Sequence, residues 1–203
     1  MKTTRVARPW LWAAAGSALV ILALGFILRG GLLLTVTPVK RGEECGPPLW
    51  EAVLMPGERF TINYYHSVEN APIWETHSLD AQGRIYIEEE RYLKFGAGMG
   101  KMPGVGHMVR KGRYEAIVDM HMPTGDFILR IGSPGVDHTI IWRGSRVNLS
   151  AIAPHQAVRF KARPICLWRR LWLALFPPTA MPQPDRAGTQ PAGPDNPRSR
   201  REG

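Results

Sequence analysis

Between Leu32 and Ala162 the apolar residues recur with a period of two in short runs, each closed by a turn signal. Leu32-Leu33-Leu34-Thr35-Val36 opens the series. Phe60, Ile62 and Tyr64 then alternate with Thr61, Asn63 and Tyr65, and Ile85 and Ile87 alternate with Tyr86 and Glu88. Further β-branched or aromatic runs at 114–122, 127–131, 138–142, 146–149 and 157–162 are punctuated by Pro56-Gly57, Thr124-Gly125, Pro134-Gly135 and Arg143-Gly144. No stretch of this region carries a long 3.6-residue stripe. Strands spaced this closely leave no room for the helical crossovers that parallel pairing requires. The expectation is an all-β domain over 32–162, an antiparallel β-sandwich or a partly open barrel.

The ends read differently. Lys2, Arg5 and Arg8 precede an uncharged run from Pro9 to Leu28, long enough as a helix to cross a bilayer core. Residues 1–31 therefore read as a cytoplasmic N-terminus and a transmembrane signal anchor. The run is longer than the apolar region of a cleavable signal and lacks a small-x-small site after it. Positive charge before the run, against Arg29 alone directly after it, puts the N-terminus inside and the domain on the periplasmic side of a bacterial cytoplasmic membrane. Within 163–176, Arg169 and Arg170 interrupt the apolar piece from Ile165 to Phe176, about 18 Å if helical and too short to span. Trp168 and Trp172 beside those arginines fit an amphipathic helix, either lying in the headgroup region or packed on the sheet. Residues 177–203 are Pro-, Gly- and Arg-rich and read as a disordered tail.

The formal charge of +9 belongs to these ends. Residues 30–162 hold 15 Lys and Arg against 14 Asp and Glu, while 1–29 and 163–203 contribute +4 each. A nearly neutral domain lacks the basic footprint of a nucleic-acid binder. Cys45 and Cys166 flank the domain without a Cys-x-x-Cys pair, which excludes a thioredoxin-like motif or a zinc knuckle and leaves either two separate thiols or one long-range bridge.

Chemistry-bearing residues concentrate between Phe60 and Glu75. Neighbours on a strand face opposite ways, so Tyr64 and His66 share one side, Tyr65 and Ser67 the other, and a His66–Ser67 nucleophilic pair is disfavoured. Asn70-Ala71-Pro72 reads as the turn, with Glu69 and Glu75 on either side. Those carboxylates fit an acid–base pair, a receptor for a cationic group, or acceptors for local backbone N–H groups. Glu75 and His77, two apart, share a face and with His66 from the partner strand compose a metal-dependent or hydrolytic alternative. A second stretch from Phe95 to Gly106 is glycine-rich and contains Gly96, Gly98 and Lys101, the elements of an anion-binding nest with a counter-charge. Met102 follows Lys101 where a phosphate-binding loop has Ser or Thr, and no helix follows, so no cofactor is expected.

Tyr65-His66-Ser67-Val68-Glu69, Pro72 and Glu75, followed about twenty residues later by Phe95-Gly96-Ala97-Gly98, resemble the bacterial family known as domain of unknown function 1850. The likeness runs from about Leu34 to Ala162 and rests on those two motifs; Met99-Gly100 stands where leucine and proline are usual. The resemblance implies a membrane-anchored extracytoplasmic protein linked to TRAP-type transporters of the TAXI kind, which import organic anions. The expected partners are the cytoplasmic membrane, a TRAP permease or its solute-binding protein, and a small organic anion. The ligand-binding or docking residues are then Tyr65, His66, Ser67, Glu69, Glu75, Gly96, Gly98 and Lys101, with no catalytic or metal-ligating residue assigned.

Overall fold

The computed structural model describes residues 9–66, 69–93 and 105–177, with side chains from Gly16 onward. The uncharged run forms α1 (Pro9–Ile27), and the chain passes almost without a linker into β1 (Arg29–Lys40). Among the described residues no helix is long and apolar enough to cross a membrane. Then follow β2 (Glu43–Glu44), β3 (Trp50–Leu54), β4 (Arg59–His66), β5 (Ala71–Leu79), β6 (Ile85–Tyr92), β7 (His107–Lys111), β8 (Tyr114–Val118), β9 (Met122–Pro123) and β10 (Phe127–Arg130). The chain ends through β11 (Thr139–Trp142), β12 (Ser145–Asn148), α2 (Leu149–Ile152), β13 (Ala157–Cys166) and α3 (Leu167–Leu175).

All pairings among the described residues are antiparallel, as the short connections require. One sheet runs β10-β13-β1-β2, with β3 also on β1; the other runs β12-β11-β4-β5-β6-β8-β7, with β9 on β6. The pairing of β1 with β13 extends from Val39↔Ala157 to Arg29↔Cys166, so the sheet passes the expected bounds of 32 and 162 at both ends. The expected helix over 163–176 accordingly begins only at Leu167. Gly31, at φ +118° with the Leu54 carbonyl and the Val53 side chain against it, leaves no place for a Cβ at this crowded start of β1.

The alternation of the strands closes the sandwich. Leu32, Leu34 and Val36 of β1 and Val158, Phe160 and Ala162 of β13 meet Phe60 and Ile62 of β4 and Ile140 of β11, all fully buried. Phe60 stacks over Phe160 with centroids 6.2 Å apart, and Phe127 over Phe160 at 4.8 Å. Burying one such side chain contributes about 1.5–3 kcal/mol.

Cross-sheet ties fix which ends coincide. At the α1 end, the Arg29 guanidinium donates to the Ala81 carbonyl and Gly83 lies against the Ala162 backbone, while within the smaller sheet Arg163 pairs with Asp126 at 2.8 Å. At the opposite end each ladder is extended within its own sheet, Tyr65 N–H after β4's pairing with β11 donating to the Val136 carbonyl at 2.7 Å and Ile131 N–H after β10 donating to the Gln156 carbonyl before β13 at 2.8 Å. β4 therefore points away from α1. With Phe60 stacked over Phe160, which lies opposite Val36, the seven residues from Arg29 to Val36 and the six from Phe60 to His66 put up to roughly 40 Å of strand between the end of α1 and the hairpin end of β4 and β5.

Both cysteines are free, and they sit at opposite ends. Cys45 N–H bonds the Pro38 carbonyl, whereas Cys166 lies opposite Arg29, about 30 Å away along β1. A bridge within one chain is therefore ruled out by distance.

Candidate functional site

The inward face of β4, β5 and β6 carries a polar cluster where an apolar interior would be the default. Register sets it: Ile62↔Glu75 and Phe60↔His77 join β4 to β5, and Glu75↔Glu90 joins β5 to β6, so these side chains share one face. Tyr64 donates to Glu75 Oε1 at 2.8 Å, and Tyr92 donates to Glu90 Oε2. His77 is fully buried, its ring stacked between Phe60 at 5.1 Å and Phe127 at 5.4 Å. Its Nε2 stands 3.6 Å from Glu75 Oε2, and neither ring nitrogen has a hydrogen-bond partner. His138 stacks on Tyr64 at 4.9 Å, and its Nδ1 accepts from Gly132 N–H at 3.0 Å. In the neutral ring its proton therefore sits on Nε2.

This cluster lies at a boundary. Tyr64 packs against both the main core and a smaller apolar group of Ile73, Tyr92 and Ile117. Glu75 keeps 25 % of its side chain exposed. Burial pushes Glu75 upward, but the His77 ring, the Tyr64 hydroxyl and the charge of His138 more than offset it, so it titrates below the ordinary carboxylate range. Glu90 goes the other way: burial and the neighbouring Glu75 charge outweigh the Tyr92 hydroxyl. Burial also lowers His138 and, together with the glutamates, raises both tyrosines. The two carboxyls that face each other are thus shifted in opposite directions, Glu75 toward its ionised form and Glu90 toward its protonated one. Among the described residues no Lys or Arg bonds or pairs with either.

The residues singled out from sequence do not converge here as a group. Glu75 is at the centre. Tyr65 pairs with Pro72 on the opposite face of the sheet, and His66 pairs with Ala71 at the hairpin end, where its Nδ1 accepts from Glu69 N–H at 3.3 Å. That contact and Asn70 N–H to the His66 carbonyl close the turn, with Asn70 in the left-handed region at φ +45°. The turn is thus centred before Ala71, and Pro72 belongs to β5, correcting the expected Asn70-Ala71-Pro72 turn. Glu69 is separated from Glu75 by about 13 Å of strand, so the carboxylate opposite Glu75 is Glu90. The alternative set of His66, Glu75 and His77 is likewise split: six residues of ladder, about 20 Å, part His66 from His77. Among the described residues no group of three His, Cys, Asp or Glu is placed to hold a metal ion. Ser67, Gly96, Gly98 and Lys101 lie outside the described residues.

Sequence reasoning missed Glu90, Tyr92 and His138. The signal for the first was Glu88-Glu89-Glu90, three glutamates that cannot all face one way on a strand. A bulge leaves Glu88 unpaired between Thr76↔Glu89 and His77↔Ile87. On the outer face Glu88 accepts from Ser78 Oγ at 2.5 Å and meets His121 Nδ1 at 2.9 Å. Two shallow grooves of about 440 and 340 Å³ adjoin there, lined among others by Arg59, Glu88, Lys111 and His121. Neither is lined by Glu75 or Glu90.

Residues 60–149 match the family described as Domain of unknown function (DUF1850). No curated protein and no solved structure matches the chain. The matched span runs from the start of β4 through β12, taking in all eight strands of the larger sheet and the whole Glu75 cluster. The match supports the family resemblance carried by the hairpin and glycine motifs.

Proposed function

We propose that this chain is an extracytoplasmic all-β accessory or binding module, held at a bacterial cytoplasmic membrane by its N-terminal helix and serving a TRAP-type uptake system of the TAXI kind. The uncharged run from Pro9 to Leu28, preceded by three cations, supports the anchor. The family resemblance supplies the transport link. The observation that carries the accessory reading is the position of the hairpin end, up to roughly 40 Å of strand from the end of α1, where Tyr65, His66 and Glu69 stand clear of the anchor. A partner protein meets them there without steric conflict with the membrane.

The charge of the inner cluster favours an accessory over a primary solute receptor. Glu75 and Glu90, with no Lys or Arg paired to either among the described residues, offer an organic anion no counter-charge, so the cluster serves to hold β4, β5 and β6 in register beneath the docking end. The test is uptake of a labelled organic acid in cells that lack this chain and keep the permease and solute receptor intact. Uptake falls on deletion and returns with the wild-type gene; unchanged uptake after deletion overturns the proposal.

A further inference from the structure

α3 offers an apolar face that the protein leaves uncovered. On a helix of 3.6 residues per turn, Leu167, Trp168, Leu171, Trp172 and Leu175 fall on one arc, while Arg169 and Arg170 fall on the other. The arginine side faces the domain: Arg170 donates to the Gly30 carbonyl at 3.3 Å and reaches Met55 Sδ at 3.3 Å. The apolar side points away from the sheets, leaving Trp172 54 % and Leu175 74 % exposed. Within a globular fold, such an amphipathic helix turns its apolar face to the core. Here the orientation is reversed.

The apolar arc is continuous with α1. Trp168 Nε1 donates to the Leu22 carbonyl at 2.8 Å, at a place where a Cβ on Gly25 would overlap its ring. Leu167 N–H donates to the Leu28 carbonyl at 2.9 Å. Around this junction Leu24 and Ile27 of α1 and Leu28 just after it are exposed, as are Leu171 and Trp172 on α3. Leu22 lies five residues before the end of α1, about 8 Å along its axis. That matches the depth of about 5–10 Å to which interfacial helices sink. α3 has no acidic residue, and Arg169 is exposed.

We infer that α3 lies in the headgroup layer of the bilayer that α1 enters, with Trp172, Leu175 and Phe176 in contact with acyl chains and Arg169 in contact with lipid phosphates. This rests on the anchoring role proposed for α1. Two contacts rather than one then fix the tilt of the domain and hold its hairpin end outward.

The full chain, with Cys45 and Cys166 changed to Ala, is reconstituted in vesicles of phosphatidylethanolamine and phosphatidylglycerol. A spin label is placed at Leu19→Cys, Arg169→Cys or Leu175→Cys, and its collisions with dissolved oxygen and with a water-soluble nickel chelate are measured. All three sites are exposed, so a label does not displace the core. The inference predicts that the labels at 19 and 175 shift toward oxygen and the label at 169 toward the chelate. A label at 175 as accessible to chelate as that at 169, with 19 still in lipid, overturns the inference and leaves the anchor standing. A chelate-accessible label at 19 overturns both.

Discussion

Tyr64 donates its hydroxyl to Glu75 Oε1 at 2.8 Å across the β4–β5 ladder, and the same ring stacks on His138 at 4.9 Å. One side chain thereby joins the carboxylate on β5 to the segment leading into β11. A hydrogen bond to a charged group contributes about 1.5–3 kcal/mol, and removing its donor leaves the carboxylate short of a partner. Tyr64→Phe is expected to lower unfolding stability in urea by about that amount, with the ring stacking retained. A loss below a few tenths of a kcal/mol contradicts the role given to the hydroxyl.

Glu75 and Glu90 face each other but respond to pH with opposite signs. Glu75 has a folded pKa below its unfolded one, so its contribution is present above the unfolded value of about 4.3 and is lost as pH falls through the folded value. Glu90 has a folded pKa above its unfolded one, so the folded state holds its proton more tightly. Its contribution is present below the unfolded value and is lost as pH rises through the folded one. Glu75→Gln is therefore expected to destabilise at pH 7, and Glu90→Gln to stabilise at pH 7 relative to pH 4. Unfolding free energies measured between pH 4 and 8 check the pair; two variants with the same sign at pH 7 refute the assignment.

His77 spans Phe60 and Phe127 in the interior with neither ring nitrogen in a hydrogen bond and with Nε2 only at ion-pair distance, 3.6 Å, from Glu75 Oε2. An unmet buried polar atom costs about 1–3 kcal/mol, and a phenyl ring keeps the stack. His77→Phe is expected to raise the urea midpoint by the equivalent of about 1 kcal/mol. A drop in the midpoint would mean that the 3.6 Å approach of His77 to Glu75 outweighs the cost of burying the ring nitrogens.

The two thiols make a simpler test. Standing about 30 Å apart, Cys45 and Cys166 stay unbridged within one chain even in an oxidising compartment. Thiol titration of the unfolded chain, purified without reductant, is expected to count both, and one chain mobility is expected with and without reductant.

Most of the architecture was legible because strands with a dry face write their alternation into the sequence. β1, β4, β6, β10 and β13 all follow the pattern from Leu32 to Ala162. β3 and β7 escaped because Trp50-Glu51-Ala52-Val53-Leu54 and His107-Met108-Val109-Arg110-Lys111 are short and mixed in character. The site was less legible, since register decides which side chains meet. Glu75 and His77 sit on one face by their spacing, but that Glu90 stands opposite Glu75 depends on the bulged register of β6 on β5, and that His138 lies beside it depends on β11 pairing with β4, far away in sequence. The hairpin residues were legible as a motif, while their separation from Glu75 by four rungs emerged only from the ladder.

The central claim is that the hairpin end meets a protein of an organic-anion uptake system. Its most direct test replaces Tyr65 with the photo-crosslinking residue p-benzoylphenylalanine in cells growing on an organic acid. The account predicts a light-dependent adduct with the solute receptor or the permease, weaker for the same residue at Ile128 on the exposed side of β10. Equal or absent adducts at the two positions, in cells that take up the acid normally, would contradict it.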